Sequence, residues 1–212
     1  MSITTYAEAK QAVADYLARS DLTSYIPDFI VGAETRIAYG SGAPFESPAL
    51  RIRAMETSAD ITFSSRTASL PTGFLEMRRV YWSANPNGKL DFRTPEVFWA
   101  SAAGSENGTP KFYTVEGDSI AIGPYAAGTA KILYYKKFTA LASDDSEWLL
   151  ANAPHVYVYG ALLEAAPFIR NDPRIQLWHG MFRSAVHGLN LSSKRDRFGG
   201  NAMMIKSDAG SV

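Results

Sequence analysis

Apolar residues open the chain at helical spacing. Thr5-Tyr6-Ala7-Glu8 has the form of a capping box, a hydroxyl and a carboxylate three residues apart that can take the unpaired amides of a helix start. Tyr6, Ala9, Val13 and Tyr16/Leu17 then follow three and four apart, which predicts a helix over about 5–19. A second helix begins near Pro27, whose missing N–H costs nothing in a first turn, and carries Ile26, Phe29, Ile30, Ala33 and Ile37 on one side. Gly40 is placed to close it in a left-handed conformation.

Beyond Ser41 the period falls to two. Leu50-Arg51-Ile52-Arg53-Ala54 alternates apolar with charged, as a strand with one wet face does. Ala59, Ile61 and Phe63 fall on odd positions where Leu50, Ile52 and Ala54 were even, so a single buried face requires a bulge or break near 55–58. Further strands are predicted at 74–82, 112–115, 120–122 and 130–135, with turns at Asn85-Pro86-Asn87-Gly88 and Gly117-Asp118. The pattern is that of an antiparallel meander. A short helix after Thr94-Pro95-Glu96, bearing Val97, Phe98 and Trp99, interrupts it.

From Asp144 the helical period returns. Val156-Tyr157-Val158-Tyr159 is strand-like in isolation, but Ala161-Leu162-Leu163-Glu164-Ala165-Ala166 forms helix so readily that the stretch from Pro154 to Pro167 reads as one helix. Asp172-Pro173 supplies the next N-cap and first-turn proline, and Ile175, Trp178, Phe182, Ala185 and Leu189 recur as a seam. After Leu191 no period is long enough for an element, so 192–212 reads as an extended arm whose removal leaves the folded part intact. The order of elements predicts an α+β fold. A helical bundle is built from N-terminal helices (1–44) and C-terminal helices (141–191), with an inserted antiparallel β module (45–140) and the arm (192–212).

Composition narrows the class. With 212 residues, 46% hydrophobic and 20% charged, the chain is an ordinary folded protein able to bury its own core. Lys+Arg and Asp+Glu both number 21, so no global positive field holds nucleic acid or anionic membrane. The absence of cysteine excludes disulfides, thiolate metal sites and a cysteine nucleophile. The start lacks a secretory signal and the apolar stretch 148–163 is too short and interrupted to span a bilayer, so a soluble product made in the cytosol is expected.

No catalytic constellation stands out. His155, His179 and His187 have no metal-ligand spacing, Asn87-Gly88-Lys89 lacks the spaced glycines of a phosphate loop, and no nucleophile elbow or dinucleotide fingerprint occurs. The chain therefore reads as a non-enzyme with no metal or cofactor. Trp82, Trp99 and Trp148 with Tyr81, Tyr134 and Tyr135 form either a stacking platform for a glycan or ordinary core, and their spacing favours core. Tyr81-Trp82 and Tyr134-Tyr135 must each send one ring to each sheet face.

The helix from Val156 is apolar nearly all round. Val156, Tyr159 and Leu163, with Trp178 and Phe182, are candidates for packing within the bundle or between subunits; the alternative is a helix wholly buried in the chain's own core. The arm combines Lys194, Arg195 and Arg197 with Phe198, Met203, Met204 and Ile205, as a segment that orders on a partner does, or an ordinary frayed terminus.

Several motifs together resemble a known family. Tyr25-Ile26-Pro27-Asp28-Phe29-Ile30 with Ala33-Glu34-Thr35-Arg36-Ile37, and Leu70-Pro71-Thr72-Gly73-Phe74-Leu75-Glu76-Met77-Arg78-Arg79-Val80-Tyr81, are similar to the tailed-phage head-to-tail adaptors, also called head completion or tail tubular protein A-like proteins. Tyr113-Thr114-Val115, Ile120-Ala121-Ile122-Gly123-Pro124, Leu133-Tyr134-Tyr135-Lys136-Lys137, Trp148-Leu149-Leu150 and 157–166 continue the likeness in the same order. The resemblance implies a virion protein at the head–tail junction. Such adaptors form a dodecameric ring below the portal protein, extend the channel through which genomic DNA passes without sequence-specific binding, and seat a tail nozzle or tail tube protein. The resemblance also implies that Lys194, Arg195, Arg197, Phe198, Met203, Met204 and Ile205 contact the portal. A glycan-binding tail or baseplate module is the alternative.

Overall fold

The computed structural model describes residues 3–85, 88–145, 147–169 and 172–198. In chain order they form α1 (Tyr6–Leu17), α2 (Ile26–Tyr39), β1 (Glu56–Phe63), β2 (Thr67–Ser69), β3 (Phe74–Trp82), β4 (Asp91–Phe92), α3 (Pro95–Ala100) and α4 (Ala102–Ser105). There follow β5 (Phe112–Glu116), β6 (Ser119–Gly123), β7 (Gly128–Lys136), α5 (Trp148–Asn152), α6 (Pro154–Glu164) and α7 (Arg174–Phe198). The fold is α+β with helices at both ends of the chain. It divides into two compact units, 1–54 with 139–212 and, inserted between them, 55–138.

The helical unit starts as its sequence requires. Thr5 Oγ1 accepts from the Glu8 amide at 3.2 Å and Glu8 Oε2 accepts from the Thr5 amide at 3.1 Å, closing the capping box. Hydrogen bonds from Thr4, then Thr5, hold the Glu8 carboxyl below the usual carboxylate range. α1 buries Ala9, Ala12, Val13 and Leu17, and α2 buries Ile26, Phe29, Ile30, Ala33 and Ile37. Gly40 ends α2 at φ +75° but ψ −173°, so it is not in the left-handed helical conformation that its position suggests. The chain instead turns sharply into 41–47, where a Cβ on Gly40 would lie 2.7 Å from the Ser47 carbonyl oxygen.

α6 is the central helix of this unit, packed against α1, α2, α5 and α7. Val156, Tyr157, Val158, Ala161, Leu162 and Leu163 are all buried. Backbones come close where side chains are small: a Cβ on Gly160 would lie 2.8 Å from the Ala33 Cβ, and one on Gly32 2.7 Å from Glu164 Cγ. The all-round apolar surface of α6 is therefore covered by helices of its own chain, which is the second of the two readings its sequence allows. The subunit-interface argument from α6 falls. Burial also pushes the Tyr157 phenol far up, so it stays protonated, with the Glu34 and Glu147 charges adding to the effect.

Two expectations about this unit are corrected. Leu50–Ala54 is not a strand: Leu50 and Ile52 are buried as their alternation demands, but the backbone between them pairs with helices. The Leu50 amide donates to Ile37 O (2.9 Å), the Arg51 amide to Asn190 Oδ1 (2.7 Å) and the Arg53 amide to Ser193 Oγ (2.9 Å), while Asn190 Nδ2 donates to Ala49 O (3.0 Å). Asn190 thus offers one acceptor and one donor, as a neighbouring strand does. The phase change expected at 55–58 is the passage between units, marked by a 3-10 turn at Arg53–Met55.

The second correction is that α7 does not stop at Leu191. It continues to Phe198, because Ser193 falls in phase with the buried residues Trp178, Phe182 and Val186 and anchors the 48–54 segment. Cutting after Leu191 would remove that anchor and leave the Arg53 amide unpaired. We expect Ser193→Ala to cost about 1–2 kcal/mol, and Asn190→Ala more because it orphans two backbone groups. Denaturant midpoints read both.

In the inserted unit the strands do not form a meander. β7 lies between β1 and β3, antiparallel to both, and the second sheet runs β2-β6-β5-β4 with β4 parallel to β5. β5 and β6 form the hairpin predicted at Gly117-Asp118. Turn residues mark where strands end, whereas partners are fixed by which faces share a core, and here Phe63, Val80, Trp82, Ile120, Ile122, Ile132 and Tyr134 from both sheets meet in one. The predicted α3 is present, with Phe98 buried on Ala121. Each aromatic pair divides between faces: Trp82 and Tyr134 point into the core, and Tyr135 lies on the other face beneath Arg78, whose guanidinium carbon is 5.4 Å from its ring. Residues 86 and 87 of the predicted turn lie outside the described residues, but Gly88 N donates to Asn85 O at 2.7 Å, as a tight turn requires.

Candidate functional site

α7 carries most of the predicted site residues. Its first turn is fixed by Asp172, whose Oδ1 accepts from the Arg174 amide at 2.9 Å. The Arg174 side chain pairs with the same carboxylate and holds it below the usual carboxylate range. Arg174 Nη1 also donates to Tyr16 O (3.0 Å), and its guanidinium carbon lies 5.1 Å from the Trp178 ring. One side of the helix then buries Trp178, Phe182 and Val186. Ile175, Ala185 and Leu189 of the predicted seam are half-buried, and Val186 takes the place expected of Ala185.

Among the packing candidates, Val156 and Leu163 are buried in α6, while Trp178 and Phe182 are buried beneath α7. Tyr159 is half-buried, edge-on to Tyr16 at 6.3 Å, and its phenol is raised by burial and then by Tyr16. Of the predicted arm, Lys194 and Arg195 are exposed on the last turns of α7 and Arg197 is half-buried. Phe198 is the last described residue of α7. Met203, Met204 and Ile205 lie outside the described residues.

The opposite side of α7 was missed. Leu177, Met181 and Leu191 are 58%, 45% and 41% exposed. Between them stand Gly180, Ser184 and Gly188, four residues apart, and among the described residues a Cβ on either glycine would meet no atom within 4 Å beyond its own stretch of helix. Gly32 and Gly160 are explained by contacts inside the chain, but Gly180 and Gly188 are not, although each costs about 1 kcal/mol against alanine in a helix interior. The Gly-x-x-x-Ser-x-x-x-Gly spacing is legible in the sequence and was the available signal.

Among the described residues of the inserted unit the aromatic side chains do not gather into a platform. Trp82 and Tyr134 are core, Trp99 is exposed with its indole N–H donating to Glu116 Oε1, and Trp148 belongs to the other unit. Among the described residues no group of His, Asp and Glu is placed to hold a metal ion, and His179 Nε2 lies 2.8 Å from Glu46 O. No helix among them is long and apolar enough to cross a membrane.

Compared with known families, residues 4–204 match the model of the SU10 adaptor protein. The chain belongs to the SU10 adaptor protein family. This is a phage head-to-tail adaptor family, the one its collinear motifs resemble. A comparison with curated proteins finds no match. The family match runs through both units of this SU10 adaptor protein and the whole of α7, so the two-sided character of that helix lies within the part the family defines.

Proposed function

We propose that the protein is a non-enzymatic ring component of the phage head–tail junction, made in the host cytoplasm and assembled into the virion. Copies associate into a ring, a dodecamer by family likeness, that sits below the portal, lengthens the DNA channel and seats a tail nozzle or tail tube protein. The observation that carries this reading is the outer side of α7. It joins exposed Leu177, Met181 and Leu191 to Gly180 and Gly188, whose open space among the described residues suits the close approach of a helix from a second copy. Equal numbers of basic and acidic residues suit a conduit through which DNA slides without adhering. Lys194, Arg195, Arg197 and Phe198 at the end of α7, with Met203, Met204 and Ile205 beyond it, are assigned to the portal contact.

Gly180→Ala and Gly188→Ala separate the ring from the fold. Each is expected to raise the stability of the single subunit by up to about 1 kcal/mol through helix propensity, and to weaken assembly by filling the space a second helix needs. Thermal unfolding reads the first effect and sedimentation velocity the second. Images of assembled particles should show the protein as a ring between portal and tail. A subunit that stays monomeric at high concentration and never enters particles would overturn the reading.

A further inference from the structure

Beside Trp148 the helical unit holds an open groove of about 330 Å³. Its apolar lining is Ile52, Ala54, Trp148 and Leu189, and Arg53 and Asp196 line it as well. Trp148 is 40% exposed, a large indole surface left to water. Neither the Arg53 guanidinium nor the Asp196 carboxylate has a hydrogen-bond or ion-pair partner among the described residues.

We propose that this groove seats the chain's own segment Met203-Met204-Ile205-Lys206-Ser207-Asp208. Position selects that occupant first: the described part of α7 reaches Phe198, two residues past the groove-lining Asp196, so the segment follows the groove closely in sequence. Gly199-Gly200 are of the type that ends a helix and allows reversal. Five extended residues reach at most about 17 Å, which exceeds the ~10 Å back along the helix from Asp196 to Leu189. Chemistry agrees in order, with two pliable thioethers and an isoleucine for the apolar wall, Lys206 for Asp196 and Asp208 for Arg53. The volume lies at the small end of the roughly 300–1,000 Å³ of ligand pockets, fit for a few aliphatic side chains and too small for a folded face. The inference stands apart from the ring reading. Where the same segment serves a partner, that partner must first draw it out of the groove.

The test uses Trp148 as its own reporter. With Trp99→Phe in place, Trp148 is the tryptophan that is not buried, since Trp82 and Trp178 are core residues. The full chain should resist iodide quenching. A stop after Phe198, and separately Met203→Ser with Met204→Ser and Ile205→Ser, should raise quenching several-fold and red-shift the emission while helix content by circular dichroism holds. Asp196→Lys should do the same in the full chain, and adding Lys206→Asp should restore protection. Equal quenching in every variant overturns the proposal. Protection that vanishes on dilution overturns it too, and gives the groove to a second copy of the chain.

Discussion

Phe182→Ala lowers the unfolding free energy by about 3–5 kcal/mol, the largest loss expected of a single substitution in this protein. Phe182 is wholly buried where α7 crosses α6, and a Cβ on Gly160 would already lie 3.2 Å from its ring. That spacing leaves no slack. The backbone at Gly160 is held by Ala33 on its other side, so the helices cannot close over the void that alanine leaves. Trp178→Ala belongs to the same class, with Arg174 losing the ring it covers. Urea unfolding with an unchanged m-value would show a loss of stability without a change in the unfolded chain. A midpoint like that of the parent would mean this face of α7 is not packed.

Arg36→Ala is expected to cost about 2–4 kcal/mol. Its guanidinium joins elements far apart in sequence: Nε donates to Glu164 Oε1 at 2.8 Å, while Nη1 donates to Ser41 Oγ at 2.6 Å and to Phe45 O at 2.9 Å. One planar fork thus ties α2 to the end of α6 and closes the 41–47 turn. Alanine removes all three hydrogen bonds and takes from Glu164, itself largely covered, the cation it pairs with. Arg36→Lys should recover only part of the loss, because an ammonium supplies the charge without the fork. If the two variants unfold at the same denaturant concentration, the geometry of the fork contributes nothing.

The helices were legible because their signals are local. Thr5 and Glu8, Pro27, Pro154 and Asp172-Pro173 act on the turn in which they stand, and the apolar spacing in α1 and α2 names the faces that are buried. Strand pairing was less legible. Alternation at Leu50–Ala54 states that one side is covered, and it is, but it does not state whether the backbone finds another strand or the amide of Asn190. Nor do turn residues tell that β7 inserts between β1 and β3. The continuation of α7 past Leu191 was missed because the buried residue that anchors it, Ser193, is small and polar and is followed by four charged residues. As for the candidate site, the buried side of α7 was visible as a repeat of large residues, whereas its open side is written in small ones, which carry meaning only once the neighbours that they lack are known.

The insertion of 55–138 between the two halves of the helical unit has a consequence for biosynthesis. α1 and α2 leave the ribosome long before the helix that must cover them: Arg36 waits for Glu164, 128 residues later. The inserted strands find all their partners within one continuous stretch and can fold as soon as Lys136 has emerged. The N-terminal helices, meanwhile, carry uncovered apolar faces throughout translation. The helices ahead of the insertion are thus exposed to aggregation and to chaperones until α6 and α7 have been made.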